Sequence, residues 1–423
     1  MASRTTRELA SNHSADRRAA RVRAKIERLL ADFPWTVHVE DWTGASYRLG
    51  RGEAHWSGLD LEVALRTPAA GDRVLASDAA GFLDKVLEGE VDIEGNLYVL
   101  SQLGGHTGMW VSVLRALPRL LVDAAFQNPR RAKVNVKSHY DISQEALDVY
   151  LDRTYLAYSC GMFENPLDLD RAQALQIGEG RHDDFDSLEK AQWRKFQDAI
   201  DFIAPEPGDT VLDVGCGYGG QLVVALESHK FRKYVGWTHS ENQVKRSQKL
   251  LAPYDATRWE VREGDYRADD AVYDHITSTG MVSHVGPRGL VPYVREVRKR
   301  IERGGRYVHH ALMRPYSPLP LDFVVGPSFN KRYVWPGFHW FPLGQHIRAL
   351  EKNGFKILRE TNLTEHYAKT TMSWYERMIA SRETMQRLLG EPTLRAWRIY
   401  LAGGTSGLQN DGVEVHRIYC QAV

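Results

Sequence analysis

One stretch limits the choice of fold more than any other in the chain: Val211-Leu-Asp-Val-Gly-Cys-Gly-Tyr-Gly-Gly220. A short apolar run of strand length leads straight into glycines, where the missing Cβ lets the backbone come close to a bound ligand. Doubly wound α/β sheets bind their ligands at the carboxyl ends of the strands, and Asp213 stands at that end. A dinucleotide is the alternative ligand, but Gly215-x-Gly217-x-Gly219 is not the G-x-G-x-x-G spacing of that class, so NAD is the weaker reading.

The surrounding sequence keeps the α/β rhythm. Strands are expected at Thr210 to Val214, Tyr234 to Thr238, Arg258 to Val261, His275 to Ser278 and Arg306 to His310, with mostly helical stretches between them. Before them, Leu188, Ala191, Phe196, Ala199, Ile200 and Ile203 follow helical spacing until Pro205 to Gly208 ends the helix. Further upstream, β-rich runs between Trp35 and Thr67 and helical patterns from Ala79 to Phe126 predict a small α+β domain. The expected division is an N-terminal, lipid- or membrane-associating domain over 1–127, a polar linker over 128–137, and the main domain with acyl-chain-binding insertions over 138–423.

Composition narrows the function. The chain has 423 residues, beyond what one core usually covers, and 43% are hydrophobic, enough for two packed domains. Lys and Arg number 55 against 54 Asp and Glu, so no global field favours nucleic acid, and no base-stacking platform accompanies the basic stretches. Cys160, Cys216 and Cys420 are too dispersed for a zinc cluster and odd in number, which fits a reducing cytosol; no metal site is expected. Residues 1–30 are basic without an apolar run behind them, so a signal peptide is not expected. The apolar stretch Met109 to Phe126 is broken by Arg115, Pro118, Arg119 and Asp123, which argues against a spanning helix. A cytoplasmic protein touching the inner membrane face peripherally is expected, with the basic helix Arg17 to Leu30 and the segment Asn128 to Lys137 as surfaces that would suit anionic lipid, although a solvated face and a linker are the plainer readings.

The D-x-G-x-G run resembles the first motif of class I S-adenosylmethionine-dependent methyltransferases. In that register, Gly236-Trp-Thr-His-Ser-Glu-Asn-Gln243 and Gly264-Asp-Tyr266 follow the second and third strands, where ribose and adenine would be met. Further motifs, Ser138-His-Tyr-Asp141, Tyr155-Leu-Ala-Tyr-Ser-Cys160, Gly280-Met-Val-Ser-His-Val-Gly286 and Met372-Ser-Trp-Tyr-Glu-Arg377, are similar to the cyclopropane fatty acid and mycolic acid cyclopropane synthase family. The fold this implies is a class I methyltransferase, Rossmann-like doubly wound α/β sheet with the smaller N-terminal α+β domain. The implied reaction adds the methyl carbon of S-adenosylmethionine to a cis double bond in a phospholipid or mycolic acyl chain.

The resemblance also implies a set of site residues. Tyr158, Ser159, Asp213, Gly215, Gly217, Gly219, Thr238, His239, Gln243, Asp265 and Tyr266 would touch the cofactor, with Asp265 accepting the adenine amino protons. Cys160, His310 and Tyr367 would surround a bicarbonate that serves as base; His309 is the alternative to His310. Taken alone, Cys160 reads as a small buried hydrophobe, Tyr158 and Tyr266 as packing, Asp265 as a turn residue and His310 as a core histidine. Ser283, before His284, stands where the family carries glutamate. A serine has neither the charge nor the reach of that carboxylate, which puts bicarbonate in doubt and points to the methyl-branching branch of the family: a 10-methylene acyl phospholipid, reduced to the 10-methyl lipid by a separate reductase. A cyclopropane synthase is the alternative, followed by a small-molecule O- or N-methyltransferase and a non-catalytic lipid-binding protein. The aromatic rings of Trp335, Phe338, Trp340 and Trp374 are candidates for stabilising a carbocation, each more often a packing residue. Expected partners are membrane phospholipid acyl chains and that reductase, and a homodimer is compatible with the sequence.

Overall fold

A computed structural model describes residues 17–106, 143–315, 334, 338–410 and 412–423. The stretch Met109 to Phe126, the expected linker 128–137, the Ser138 to Asp141 motif and Trp335 lie outside the described residues. By contacts the chain forms two units. Among the described residues, no helix is long and apolar enough to cross a membrane.

The first unit holds the described residues 17–106 and the segment Gly390–Ser406. Helix α1 spans 17–30. Strands β1 (Val37–Glu40), β2 (Ser46–Leu49), β3 (Leu61–Leu65) and β4 (Val91–Gly95) form a sheet in the order β2-β1-β3-β4. Helices α2 (Pro68–Leu75) and α3 (Ala79–Leu87) start at Thr67 and Asp78, whose side chains accept from Ala70 N and Gly81 N. Helix α4 (Leu100–His106) follows β4. β4 interrupts the helical patterns expected from Ala79 to Phe126: Val91 and Ile93 are buried at alternate positions, a strand period. Residues Gly390–Ser406 come from the C-terminal part of the chain, yet Arg395 donates to Val91 O at 2.9 Å and pairs with Asp92 at 2.7 Å, and Arg398 pairs with Glu94.

The second unit begins with α5 (Gln144–Tyr150), α6 (Arg171–Ala174) and α7 (Leu188–Ile203), the last capped by Ser187 and ended at Ala204 in the left-handed region. Then β5 (Thr210–Val214), α8 (Gly220–Ser228), β6 (Lys233–Thr238), α9 (Glu241–Leu251), β7 (Trp259–Glu263), β8 (His275–Thr279), α10 (Leu290–Lys299) and β9 (Arg306–Arg314) alternate. The described chain continues through β10 (Phe341–Pro342), α11 (Leu343–Lys352), β11 (Phe355–Asn362), α12 (Thr364–Ala380), α13 (Arg382–Leu389), α14 (Glu391–Gln409), whose N-terminal part belongs to the first unit, and β12 (Glu414–Ala422). Sheet order is β11-β12-β9-β8-β5-β6-β7, with β10 beside β9. Strands β5 to β9 are mutually parallel, while β12 runs antiparallel to both β9 and β11. The five expected strands are all present within a few residues; β10, β11 and β12 are additions to that expectation.

The order reverses at β5, whose neighbours are β6 on one side and β8 on the other, and a crevice at the carboxyl ends is the usual result. Successive residues of β5 serve different cores: Val211 joins Phe196, Ile200 and Leu222, and Leu212 joins Ile276, Val294 and Tyr307. Each such side chain contributes about 1.5–3 kcal/mol by leaving water. The two faces together fix the height of the glycine loop.

Candidate active site

The loop after β5 takes the conformation its glycines allow. Gly215, Gly217 and Gly219 have φ of 86°, 56° and 83°, the left-handed region in which a side chain is strained. Gly215 N and Cys216 N both donate to Trp237 O at 3.0 Å, and Ser247 Oγ donates to Gly217 O at 3.1 Å, so β6 and α9 hold the loop from two sides. A Cβ on Gly217 would meet nothing within 4 Å, which leaves open space above the loop. Below it, burial pushes the Asp213 carboxyl up to about 7, opposed by the Thr277 hydroxyl and by Lys195.

Thr238 Oγ1 donates to Gln243 Oε1 just beyond β6, linking two of the expected cofactor residues. His239 and His284 lie close enough to interact, and burial lowers the His284 imidazole to about 4. Asp265 accepts from Arg267 N at 3.0 Å and from its guanidinium, capping the short turn Tyr266–Ala268. Tyr266 is buried in the core, edge-on to Tyr293. In this structure these two residues occupy the turn and packing positions that are their plainer readings.

A second cluster forms around Cys160. Asp152, fully buried, accepts from the backbone N–H groups of Tyr155, Leu156 and Ala157 at 2.6, 3.2 and 2.6 Å, and holds Leu156 at a φ of 51°. That turn delivers Tyr158, Ser159 and Cys160. Tyr158 stacks on Trp374 at 5.0 Å between ring centres, and Tyr367 meets the same indole edge-on at 5.9 Å. Thr370, one turn after Tyr367 on α12, accepts from Gly161 N at 3.0 Å. Cys160 Sγ faces Gly161 O and Leu363 O, and burial pushes its thiol up to about 12, so it is a neutral donor and not a thiolate.

Two buried basic groups not singled out from the sequence, Lys195 and Arg417, complete the cluster. Lys195 on α7 is fully buried, with Nζ donating to Ser159 Oγ at 2.7 Å and to Gln192 Oε1 at 2.6 Å, and burial lowers its ammonium to about 7. Arg417 on β12 is also fully buried; it pairs with Asp198 at 2.7 Å and donates to Lys195 O at 2.9 Å. Its Nε donates to His310 Nδ1 at 3.4 Å, across the strand register that sets Arg417 opposite His310. A guanidinium cannot accept, so Nδ1 is the accepting nitrogen and the imidazole proton sits on Nε2. Burial, reinforced by Arg417 and Lys195, holds His310 neutral, well below its ordinary range. Arg417 Nη2 is buried and has no hydrogen-bond partner among the described residues.

Neighbouring His309 points elsewhere, accepting from or donating to Tyr307 at 2.8 Å and His346 at 2.9 Å. The structure thus puts His310, not His309, beside Arg417. Ser283 sits in the turn Met281–His284; its carbonyl accepts from His339 N at 2.8 Å and its buried hydroxyl has no partner among the described residues. No hydrogen bond joins Ser283 to Cys160 or His310. Phe338 and Trp340 pack at 4.8 Å, and Trp374 is wholly buried.

The signals for the unanticipated residues were faint but present. Lys195 falls four residues from Ala191 and four from Ala199, on a helix stripe otherwise apolar. Arg417 alternates with Val415 and Tyr419 in a strand buried on both faces.

With this geometry in hand, the known proteins divide the possibilities. The family model described as mycolic acid cyclopropane synthetase matches residues 127–418. The chain belongs to that family. The family uses S-adenosylmethionine. A probable fatty acid methyltransferase of Mycobacterium tuberculosis is 26% identical over 72% of this chain and 66% of its own length, so the match spans just under two thirds of that relative. The tuberculostearic acid methyltransferase UfaA1 of the same organism is 26% identical over 83% of this chain and 81% of its own. Among solved structures, mycolic acid cyclopropane synthase CmaA1, complexed with SAH and CTAB, is 26% identical with a TM-score of 0.61, covering 68% of this chain and 98% of that one.

The residues present fit the family's cofactor. The space over Gly217 would admit a ligand, and Asp213 at the end of β5 with the Thr238–Gln243 pair just beyond β6 would be the residues to hold it. Bound there, S-adenosylmethionine supplies an electrophilic methyl group. Ser159, held by Lys195, and Tyr158, stacked on Trp374, would be the residues joining that site to the Cys160 cluster.

Proposed function

We propose that the chain transfers the methyl carbon of S-adenosylmethionine to a cis double bond in a phospholipid acyl chain and releases a mid-chain methylene product, which a separate reductase saturates. The relatives' fatty acid and tuberculostearic acid methyltransferase names support the acyl chain and the branched product. The observation that carries the choice of product is Ser283: a neutral, unpartnered hydroxyl in the turn where the family has a carboxylate.

An isolated alkene is a weak nucleophile, so the protein's part is to align it with the methyl group and to keep water away. The rings of Trp374 and Tyr367, buried, and of Tyr158, half-buried, supply faces able to stabilise the cation left on the chain. Cys160 as a thiol, His310 with its proton on Nε2, and the free Nη2 of Arg417 are all donors. Asp198, the carboxylate beside them, is taken up by Arg417 and Tyr419, so these donors would suit a bound anion as the base, bicarbonate being the one that the family resemblance implies. Loss of a proton from the new methyl carbon directly closes a ring; a hydride shift before that loss leaves the methylene. Without a carboxylate at position 283 to fix the base, the second course is favoured.

The test is to incubate the purified protein with S-adenosylmethionine and vesicles of oleoyl or stearoyl phospholipid. A one-carbon mass gain in the oleoyl lipid alone is expected. A gain in neither, with methylation of small soluble amines or alcohols, would replace this reading with that of a small-molecule methyltransferase. Cofactor binding with no turnover on any substrate would replace it with that of a lipid-binding protein.

A further inference from the structure

A groove of about 640 Å³ runs between α10 and α11, and its lining includes no residue of the glycine loop or of the Cys160 cluster. Four cations line it, Arg288, Arg295, Arg348 and Lys352, and no acidic residue does. None of the four has an ion pair among the described residues, whereas Lys299 and Arg300 at the end of α10 both take Glu296, which is thereby drawn off. The floor is apolar, with Leu290 and Phe341, and Val291 beside it is 40% exposed. Exposed cations over an apolar floor suit a partner that is anionic at its surface and greasy beneath.

The groove also has a position. Arg288 follows the Met281–His284 turn within a few residues, and Phe341 follows His339, whose N–H donates to Ser283 O. Both walls therefore start at the turn that carries Ser283.

We propose that this groove is where the protein docks on the headgroup layer of an anionic phospholipid bilayer, the phosphates meeting the four cations and Val291 entering the acyl boundary. The inference rests on the lipid reading of the function and gives it a surface. An acidic carrier protein would satisfy the charges but has no use for the apolar floor, which favours the bilayer.

The experiment is co-sedimentation of the full chain with vesicles of phosphatidylglycerol and phosphatidylcholine, or phosphatidylcholine alone, for the wild type and for Arg288→Glu/Arg348→Glu. The wild type should bind the anionic vesicles and lose binding as salt is raised. The double variant, four charge units more negative, should bind them about a hundredfold more weakly. Equal binding by variant and wild type would overturn the proposal and move docking to another basic surface, α1 among them. So would loss of binding to a purified acidic carrier protein with vesicle binding intact. Methyl transfer to oleoyl lipid dispersed in neutral detergent should be unchanged in the variant, which shows that the fold survives. If the wild type is inactive in that assay too, the functional reading fails separately, and the vesicle result still decides the docking surface.

Discussion

Arg377 and Arg417 are both buried guanidinium groups in the same unit, and they are treated in opposite ways. Arg377, in the Met372 to Arg377 motif, is saturated: it meets Glu189 at 2.8 and 3.0 Å and donates to the carbonyls of Ala174, Gln176 and Leu151. Glu189 also accepts from Gly178 N and Arg153 N, so the pair ties α12 to the segment leading into the Tyr155 turn. Next to it Glu376 takes Arg171 at 2.7 Å. Arg417 has one carboxylate, one carbonyl, the Met162 sulfur at 3.7 Å and a long contact to His310, and keeps a buried nitrogen without a partner among the described residues. A buried charge with every hydrogen bond made is scaffold. One left short of partners is, on the function proposed above, a group that would meet a ligand.

The sharpest way to break this contrast is to truncate each arginine. Arg377→Leu leaves Glu189 buried without its counter-charge and should cost about 3–5 kcal/mol, read as an early urea midpoint. Removing Glu189 as well should restore much of the loss. Arg417→Gln keeps a donor of similar shape and should lower stability by only about 1–2 kcal/mol, yet reduce the rate of methyl transfer about a hundredfold with cofactor affinity unchanged by calorimetry. If Arg417→Gln unfolds as Arg377→Leu does, the two sites are alike and the contrast is wrong.

A subtler change sharpens the role of position 283. Ser283→Glu restores a carboxylate to the turn and should move the product from methylene toward cyclopropane without abolishing turnover. An unchanged product ratio would remove Ser283 as the determinant.

The contrast also has a pH dependence. Lys195 is lowered by burial to about 7, whereas an unfolded lysine titrates near about 10.4. Between those values the unfolded chain binds more protons, so stability should rise with pH across the window as the unfolded lysine loses its proton. Lys195→Met should flatten that rise in urea unfolding at pH 7 and pH 10. A rise equally steep in both proteins would mean that another group carries it.

What the sequence made legible was local. The glycines of 215, 217 and 219 announce their backbone angles because no other residue takes them without strain, and the strands beside them follow from apolar runs of the right length. His310 could be favoured over His309 by counting, and the strand's alternation then sends the two rings to different neighbours. What stayed hidden depends on distant pairing. Arg417 reaches His310 only through the register of β12 on β9, across more than a hundred residues, and its companion Lys195 is recognisable only once α7 packs against that strand. β4 was lost inside a helical stretch because Val91-Asp-Ile-Glu-Gly is too short for its alternation to stand out. Asp265 and Tyr266 earned attention from their place after the third strand, and here one caps a turn and the other fills a core.

The measurement that tests the account most directly is ozone cleavage of the acyl product, followed by mass spectrometry, after reaction of the protein with S-adenosylmethionine and oleoyl phospholipid vesicles. An exocyclic methylene should cleave to a mid-chain ketone. A one-carbon-heavier chain that resists ozone is a cyclopropane, and would show that the family's ring closure proceeds with serine at position 283.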